Sequence, residues 1–334
     1  MSWYLSYQSS PLIDVRSPVE FAKGHVPKAI NIPLLDDEER HQVGLCYRQK
    51  GQDAAVLLGL ELVGPKMHLL AAEGTKLSKQ KKLWVMCHRG GKRSQSMAWL
   101  WKQCGIEAEV IPKGYQYFRQ SVLETFRQSY NLQILGGATG VGKTMVLQQL
   151  KQLGAQVIDL ETLAHHKGSA FGGIGQGRQP SNAQFENELA MELAQMNPNE
   201  TIWVENESRM VGQNILPEDF WKQMCRAPCV YLERSREERI RLLCADYQNA
   251  TSAELRQALL VIGKRLGHSK LTEALHRLEN EDRGGVVDVV LEYYDHFYFK
   301  SQYQNDRIVH TEDITGQSIL EIAQKMFQHI RVFI

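Results

Sequence analysis

Two stretches of this chain carry residue types at spacings that can do chemistry. The first is Leu83-Trp-Val-Met-Cys87-His-Arg89-Gly-Gly-Lys92-Arg93-Ser94. An apolar run ends on a cysteine, a loop with two glycines follows, and a helix opens near Ser94. Such a turn aims backbone N–H groups and a helix N-terminus at the thiol. With Arg89, Lys92 and Arg93 around it, the setting favours a nucleophilic thiolate. Cys46, Cys104, Cys225, Cys229 and Cys244 have no comparable surroundings and read as structural thiols. Cys225 and Cys229 are spaced C-x3-C, but Pro228 intervenes and no second ligand pair lies near, so no zinc site is expected.

The second stretch is Gly137-Ala-Thr-Gly140-Val-Gly142-Lys143-Thr144, a complete G-x4-G-K-[ST]. It follows the apolar run Leu132–Leu135 and precedes a helical pattern, the strand–loop–helix context that a phosphate loop needs. Glycines let amides wrap phosphate oxygens, Lys143 supplies a point charge, and Thr144 can ligate Mg²⁺. Two acidic strand ends could complete this site, Asp159 and Glu205, and Glu205 is preferred as the Walker-B-like carboxylate. Gly168 and Ser169 sit in a glycine-bearing loop suited to face a ligand. Arg234, Arg236, Arg239 and Arg241 flank a helix start, like the arginine-bearing lid of small P-loop kinases, although pairing with Glu237 and Glu238 explains part of that pattern.

Elements must hold these loops. Pro11–Val15, Leu83–Cys87 and Ala108–Ile111 read as strands, alternating with helical patterns at Ser94–Cys104 and Tyr115–Gln128. The alternation restarts with strands at Leu132–Leu135, Val157–Leu160, Thr201–Glu205, Val230–Glu233 and Arg307–His310. Helices are expected at Lys143–Leu153, Asn182–Met196 and Glu237–Asn249, and a further helical region over Ser252–Glu281 has Gly263 and Gly267 as breaks. The expected fold is α/β: a parallel-sheet domain over 1–128, then a P-loop parallel-sheet domain with extra helices over 129–334. The 334 residues suffice for two cores, and 43% hydrophobic with 23% charged residues is an ordinary globular composition. No long apolar run and no signal-peptide pattern is read, so a cytoplasmic protein with reduced thiols and no membrane partner is expected. A net charge of +1 requires any polyanion to find a local basic face. Lys76, Lys79, Lys81 and Lys82 in the first half, and Lys264, Arg265, Lys270 and Arg277 in the second, are the candidates.

Asp14-Val-Arg16-Ser-Pro-Val-Glu20-Phe-Ala-Lys-Gly-His25-Val-Pro-Lys-Ala-Ile-Asn31-Ile-Pro33 resembles the opening signature of rhodanese domains, and Gly114-Tyr115 falls where that pattern has its glycine. In that family the loop cysteine carries a transferable sulfur as a persulfide. Here five residues separate Cys87 from Arg93, a longer loop similar to that of rhodanese-like phosphatases, with room for a phosphate-sized oxyanion. The chain as a whole resembles the bacterial tRNA 2-selenouridine synthases. The resemblance is carried by Cys87 to Trp99, Gly137–Thr144, Gly168-Ser-Ala-Phe-Gly172, Gln179-Pro-Ser181, Phe185-Glu186 and Trp203-Val-Glu205-Asn-Glu-Ser-Arg209 with Gly212. His88 stands where that family has tryptophan, and Lys167 where it has arginine.

The resemblance implies a tRNA with 2-thiouridine at the wobble position as substrate. It implies S-geranylation from geranyl diphosphate, then replacement of the geranylthiol by selenium from selenophosphate, with a selenophosphate-producing enzyme as supplier. On that reading Cys87, Arg89 and Arg93 handle the selenium donor. Gly137, Gly140, Gly142, Lys143 and Thr144 hold a diphosphate, with Glu205, Gly168, Ser169 and Arg209 in support. Other classes stay open at this point. They are a rhodanese-type sulfurtransferase coupled to a nucleotide-binding domain, a phosphatase–kinase fusion, and a nucleotide-regulated binding module with an inert Cys87.

Overall fold

In a computed structural model, which describes residues 10–77, 82–169, 171–302 and 307–329, two parallel sheets carry the two loops. β1 (Leu12–Asp14), β2 (Ile30–Asn31), β3 (Lys82–Met86) and β4 (Glu107–Val110) align in the order β2-β1-β3-β4. Ile13, Leu83, Val85 and Ala108 are fully buried, as expected of parallel strands covered on both faces. The accompanying helices are α1 (Pro18–Ala22), α2 (Asp37–Val63), α3 (Met67–Leu77), α4 (Lys92–Gln103) and α5 (Gly114–Thr125). Asp36 caps α2 by accepting from the Glu39 amide, and Glu39 returns a bond to the Asp36 amide.

The second sheet runs β11-β10-β5-β7-β6, all parallel. Its strands are β5 (Leu132–Gly137), β6 (Gln156–Ile158), β7 (Ile202–Glu205), β10 (Cys229–Glu233) and β11 (Ile308–Asp313), and β8 (Met210–Val211) with β9 (Asn214–Ile215) forms a small antiparallel ribbon. The remaining helices of the chain are α6 (Lys143–Gln152), α7 (Leu160–Ala164), α8 (Asn182–Leu193), α9 (Glu218–Arg226), α10 (Arg236–Asp246), α11 (Ser252–Leu266), α12 (His268–Glu279), α13 (Arg283–Gln302) and α14 (Ile319–His329). β5 is the central strand, so the loop leaving its carboxyl end opens where α/β sheets bind ligands. The chain falls into two compact units, residues 1–126 with 183–194, and residues 127–182 with 195–334.

Several sequence expectations are revised. Leu160 is the first residue of α7, not the end of a strand, because Asp159 turns the chain into a helix by capping it. Gly263 does not break a helix. It lies buried within α11, where a Cβ would stand 2.8 Å from Leu271, so its role is close packing against α12. The break is Gly267, with φ +88°. α13 was not anticipated, since its opening Arg-Gly-Gly reads against a helix. The stretch 37–77 contains a window of mean hydropathy 1.4, of which only 11% is buried, long and apolar enough for a span by those measures. The 3₁₀ turn Gly64–Lys66, with Pro65, divides it into α2 and α3, and α2 is itself kinked at Gly51.

Candidate active sites

Cys87 follows β3 directly, and α4 starts five residues later. The intervening loop is held from beneath by the junction before α5. The amides of Tyr115 and Gln116 donate to the carbonyls of Cys87 and His88. Gly114, at φ +55°, lets the start of α5 approach the cysteine loop, because a Cβ there would stand 2.1 Å from the Cys87 carbonyl oxygen. Cys87 is 3% exposed, and its sulfur lies 3.2 Å from the Ser94 hydroxyl. Burial works against ionisation. The Ser94 hydroxyl and amide, the Arg89 amide and the Arg93 charge outweigh it, and together they hold the thiol below its usual range.

A cavity of about 400 Å³ opens over this loop, lined by Arg40, Cys87, His88, Arg89, Gly91, Lys92 and Arg93. The two arginines expected to hold an oxyanion differ in state. Arg93 is already paired with Glu20 at 2.5 Å, and Arg40 approaches the same carboxylate at 3.6 Å. Arg89 donates to the Gln116 side chain and, like Lys92, makes no ion pair among the described residues. The rhodanese-like signature is structural at its buried end. Arg16 grips Asp14 through two nitrogens, donates to the Gly24 carbonyl, and lies 3.8 Å from the centre of the Tyr115 ring. In the same unit Asn187 bonds the His25 carbonyl and the Tyr115 hydroxyl, and Glu186 pairs with Arg119 at 2.5 Å.

The phosphate loop lies between β5 and α6. Gly137, Gly140 and Gly142 take φ of +146°, +79° and +97°, and a side chain at Gly137 or Gly140 would strike Val141 or Leu243. Lys143 donates to the Gly137 carbonyl at 2.8 Å, closing the loop on itself. Thr144 donates to Glu161 at 3.1 Å. Glu161, Glu205 and Glu207 each offer an oxygen within 4.8 Å of the others. Glu205 is fully buried at the end of β7. One of its oxygens accepts from the Glu161 amide at 2.7 Å, and the other has no hydrogen-bond partner among the described residues. Burial and the neighbouring Glu161, Glu207 and Asp159 push Glu205 well above the usual carboxylate range. Burial and Glu207 push Glu161 up to about 7, against the pull of Lys143 and Thr144, and burial likewise raises Glu207.

Gly168 and Ser169 line the cavity of about 320 Å³ that opens over Lys143, Thr144, Glu161 and Glu207. At φ +67°, Gly168 leaves space for the carboxylates, since a Cβ would lie 2.5 Å from Glu161 and 2.9 Å from Glu207. Arg209 is exposed and is not among the residues lining that cavity. Arg239, one of the four arginines around the start of α10, clamps Asp295 and the Thr139 carbonyl, and Arg236 pairs with Asp288. Asp159, the alternative acidic strand end, is engaged in capping α7 through Thr162.

Residues 130–329 match the family described as the tRNA 2-selenouridine synthase AAA domain, and residues 3–121 match the rhodanese-like domain. The chain belongs to the tRNA 2-selenouridine synthase family. A relative of that name from Bordetella bronchiseptica is 38% identical over 91% of this chain and 92% of its own. Another, from Marinobacter nauticus, is 41% identical over 74% and 68%, and one from Cupriavidus pinatubonensis is 35% identical over 92% and 93%.

Within this family member, sequence reasoning had not picked out Ser94, Glu20, Glu161 or Glu207 as site residues. Ser94 had a signal, a hydroxyl in the first turn of the helix that opens beside Cys87. Glu207 stands two residues beyond Glu205 in Val-Glu-Asn-Glu. Glu161 had no comparable signal, because it reaches Glu205 only through the pairing of β6 with β7.

Proposed function

We propose that this protein replaces the sulfur of a wobble 2-thiouridine in tRNA by selenium, in two steps run at two anion sites. In the first step, the thiouridine sulfur attacks C1 of geranyl diphosphate. A C–S bond forms, the C–O bond breaks, and diphosphate leaves. In the second, selenium from selenophosphate replaces sulfur at C2 of the alkylated base. The C2–S bond breaks, geranylthiol departs, and loss of the phosphoryl group to water leaves 2-selenouridine and phosphate. Alkylation turns a poor leaving group into a good one.

The observation that carries this reading is the coexistence, in one chain of this family, of a thiol held below its usual range under a basic cavity and a complete phosphate loop. The division of labour follows the chemistry: residues 1–128 manage the selenium donor and residues 129–334 the diphosphate. Cys87 is the chalcogen-handling thiolate, with Arg89 and Arg93 beside the donor's oxyanion. The Gly137–Thr144 amides and Lys143 hold the diphosphate, and Gly168 and Ser169 wall its cavity. Arg209 supports this site from outside the cavity. A selenophosphate-producing enzyme is the supplier.

Glu161, Glu205, Glu207 and Thr144 fit a hard divalent cation such as Mg²⁺, since they offer only oxygen donors and one buried carboxylate oxygen of Glu205 has no hydrogen-bond partner among the described residues. When bound, it would neutralise charge on the departing diphosphate. Lys143→Ala removes the mobile charge of the loop and should weaken geranyl diphosphate binding by about 1–3 kcal/mol. Calorimetry that finds its affinity unchanged moves the donor to another site.

A further inference from the structure

The cavity over the phosphate loop does not end in polar groups. Thr139, Ser169, Leu243, Tyr247 and Tyr294 line it and also line a second recess that runs between α10, α11 and α13. The lining of that recess is mainly hydrocarbon, with Phe171, Leu255, Val286, Val290 and Leu291 all buried, beside Cys244 and Arg283. Two of its polar side chains are already engaged with protein partners. The Arg283 guanidinium donates to the carbonyls of Tyr247, Gln248 and Ala250, and the Tyr247 hydroxyl is bonded to Ser169. A nucleoside placed here would find few partners for its base and ribose, whereas a hydrocarbon needs none. The recess is a narrow slot of about 30 Å³, so a chain enters only as side chains at its mouth rotate. Tyr294, common to both cavities, is placed to do so.

We propose that this slot is the subsite for the hydrocarbon tail of the diphosphate ester, and that Val286 and Val290 set the tail length it accepts. The inference rests on the phosphate loop binding a diphosphate, as proposed above, and adds which residues choose its organic part. A ligand that is anionic at one end and apolar at the other satisfies both cavities at once, and burial of its tail supplies affinity that the phosphate loop cannot.

The test is calorimetry on the full chain with inorganic diphosphate, dimethylallyl diphosphate, geranyl diphosphate and farnesyl diphosphate. Geranyl diphosphate is expected to bind at least about tenfold more tightly than inorganic diphosphate. Val290→Phe should abolish that advantage, bringing geranyl diphosphate to the level of dimethylallyl diphosphate, while inorganic diphosphate keeps its affinity within about twofold. Tyr294→Ala, which fills nothing and so does not overpack the core, should raise farnesyl relative to geranyl diphosphate. Equal loss of all ligands in Val290→Phe, or unchanged tail preference in Tyr294→Ala, overturns the slot as the tail subsite. If inorganic diphosphate binds the native protein but a tail adds nothing, the slot alone is refuted. If inorganic diphosphate does not bind at all, the phosphate-loop assignment falls first.

Discussion

Ser94 shows how one hydroxyl can decide a reactive site. Cys87 is buried, and burial by itself would leave it a neutral thiol. The bond from Ser94 and the nearby Arg93 charge reverse that balance. Because the folded-state value lies below that of a free thiol, Cys87 is ionised from a lower pH upward. Ser94→Ala should therefore move the midpoint of Cys87 alkylation to higher pH, by roughly one unit if a single charge-assisted bond worth about 1.5 kcal/mol is lost. An unchanged midpoint would mean that the loop amides and arginines suffice.

The carboxylates have the opposite sign. Glu161 is pushed up to about 7 and Glu205 and Glu207 are raised, so the folded protein holds protons here that the unfolded chain releases. This contribution to stability is present at low pH and is lost as pH rises through about 7. Cation binding must displace those protons, so Mg²⁺ should raise the melting temperature more at about pH 8 than at about pH 6. Glu205→Gln should stabilise the cation-free protein at the higher pH and remove most of the Mg²⁺ response. A response equal at both pH values, or retained in the variant, would place the cation elsewhere.

At the scale of elements, both reactive loops were legible because each is written within a dozen consecutive residues. A strand, a turn with glycines and a helix start leave their mark locally. What surrounds them was not legible. Arg93 meets Glu20 from 73 residues away, and Glu161 meets Glu205 only because β6 lies beside β7. α2 and α3 leave Leu57, Leu60 and Leu69 exposed, so their apolar residues show no single buried face to read. Gly114 joins the two kinds of information, a motif residue whose reason is tertiary. Gly114→Ala would force a non-glycine into φ +55° with its Cβ 2.1 Å from the Cys87 carbonyl. The backbone strain alone costs about 1–3 kcal/mol, and the only relief is displacement of the cysteine loop. The variant should melt lower than the native protein and lose the low alkylation midpoint of Cys87, whereas a folded variant with native reactivity would show that the α5 junction does not hold the loop.

At the scale of the molecule, a net charge of +1 leaves tRNA to find concentrated positive charge. The basic runs singled out in the sequence supply less of it than they promised. Lys76, Lys82, Lys270 and Arg277 are each paired with carboxylates, while Lys264 and Arg265 are exposed at the end of α11, and Lys79 and Lys81 lie outside the described residues. The cavity over Cys87, with Arg89 and Lys92 free of carboxylates among the described residues, is the stronger concentration near a reactive group.

The two-step account is tested most directly by mass spectrometry of nucleosides from 2-thiouridine tRNA incubated with the protein. With geranyl diphosphate alone, S-geranylated nucleoside should accumulate, and adding selenophosphate should convert it to 2-selenouridine. Cys87→Ser should stop at the geranylated nucleoside with its fold intact. Formation of 2-selenouridine at the native level by Cys87→Ser, or by the native protein without geranyl diphosphate, would contradict the account.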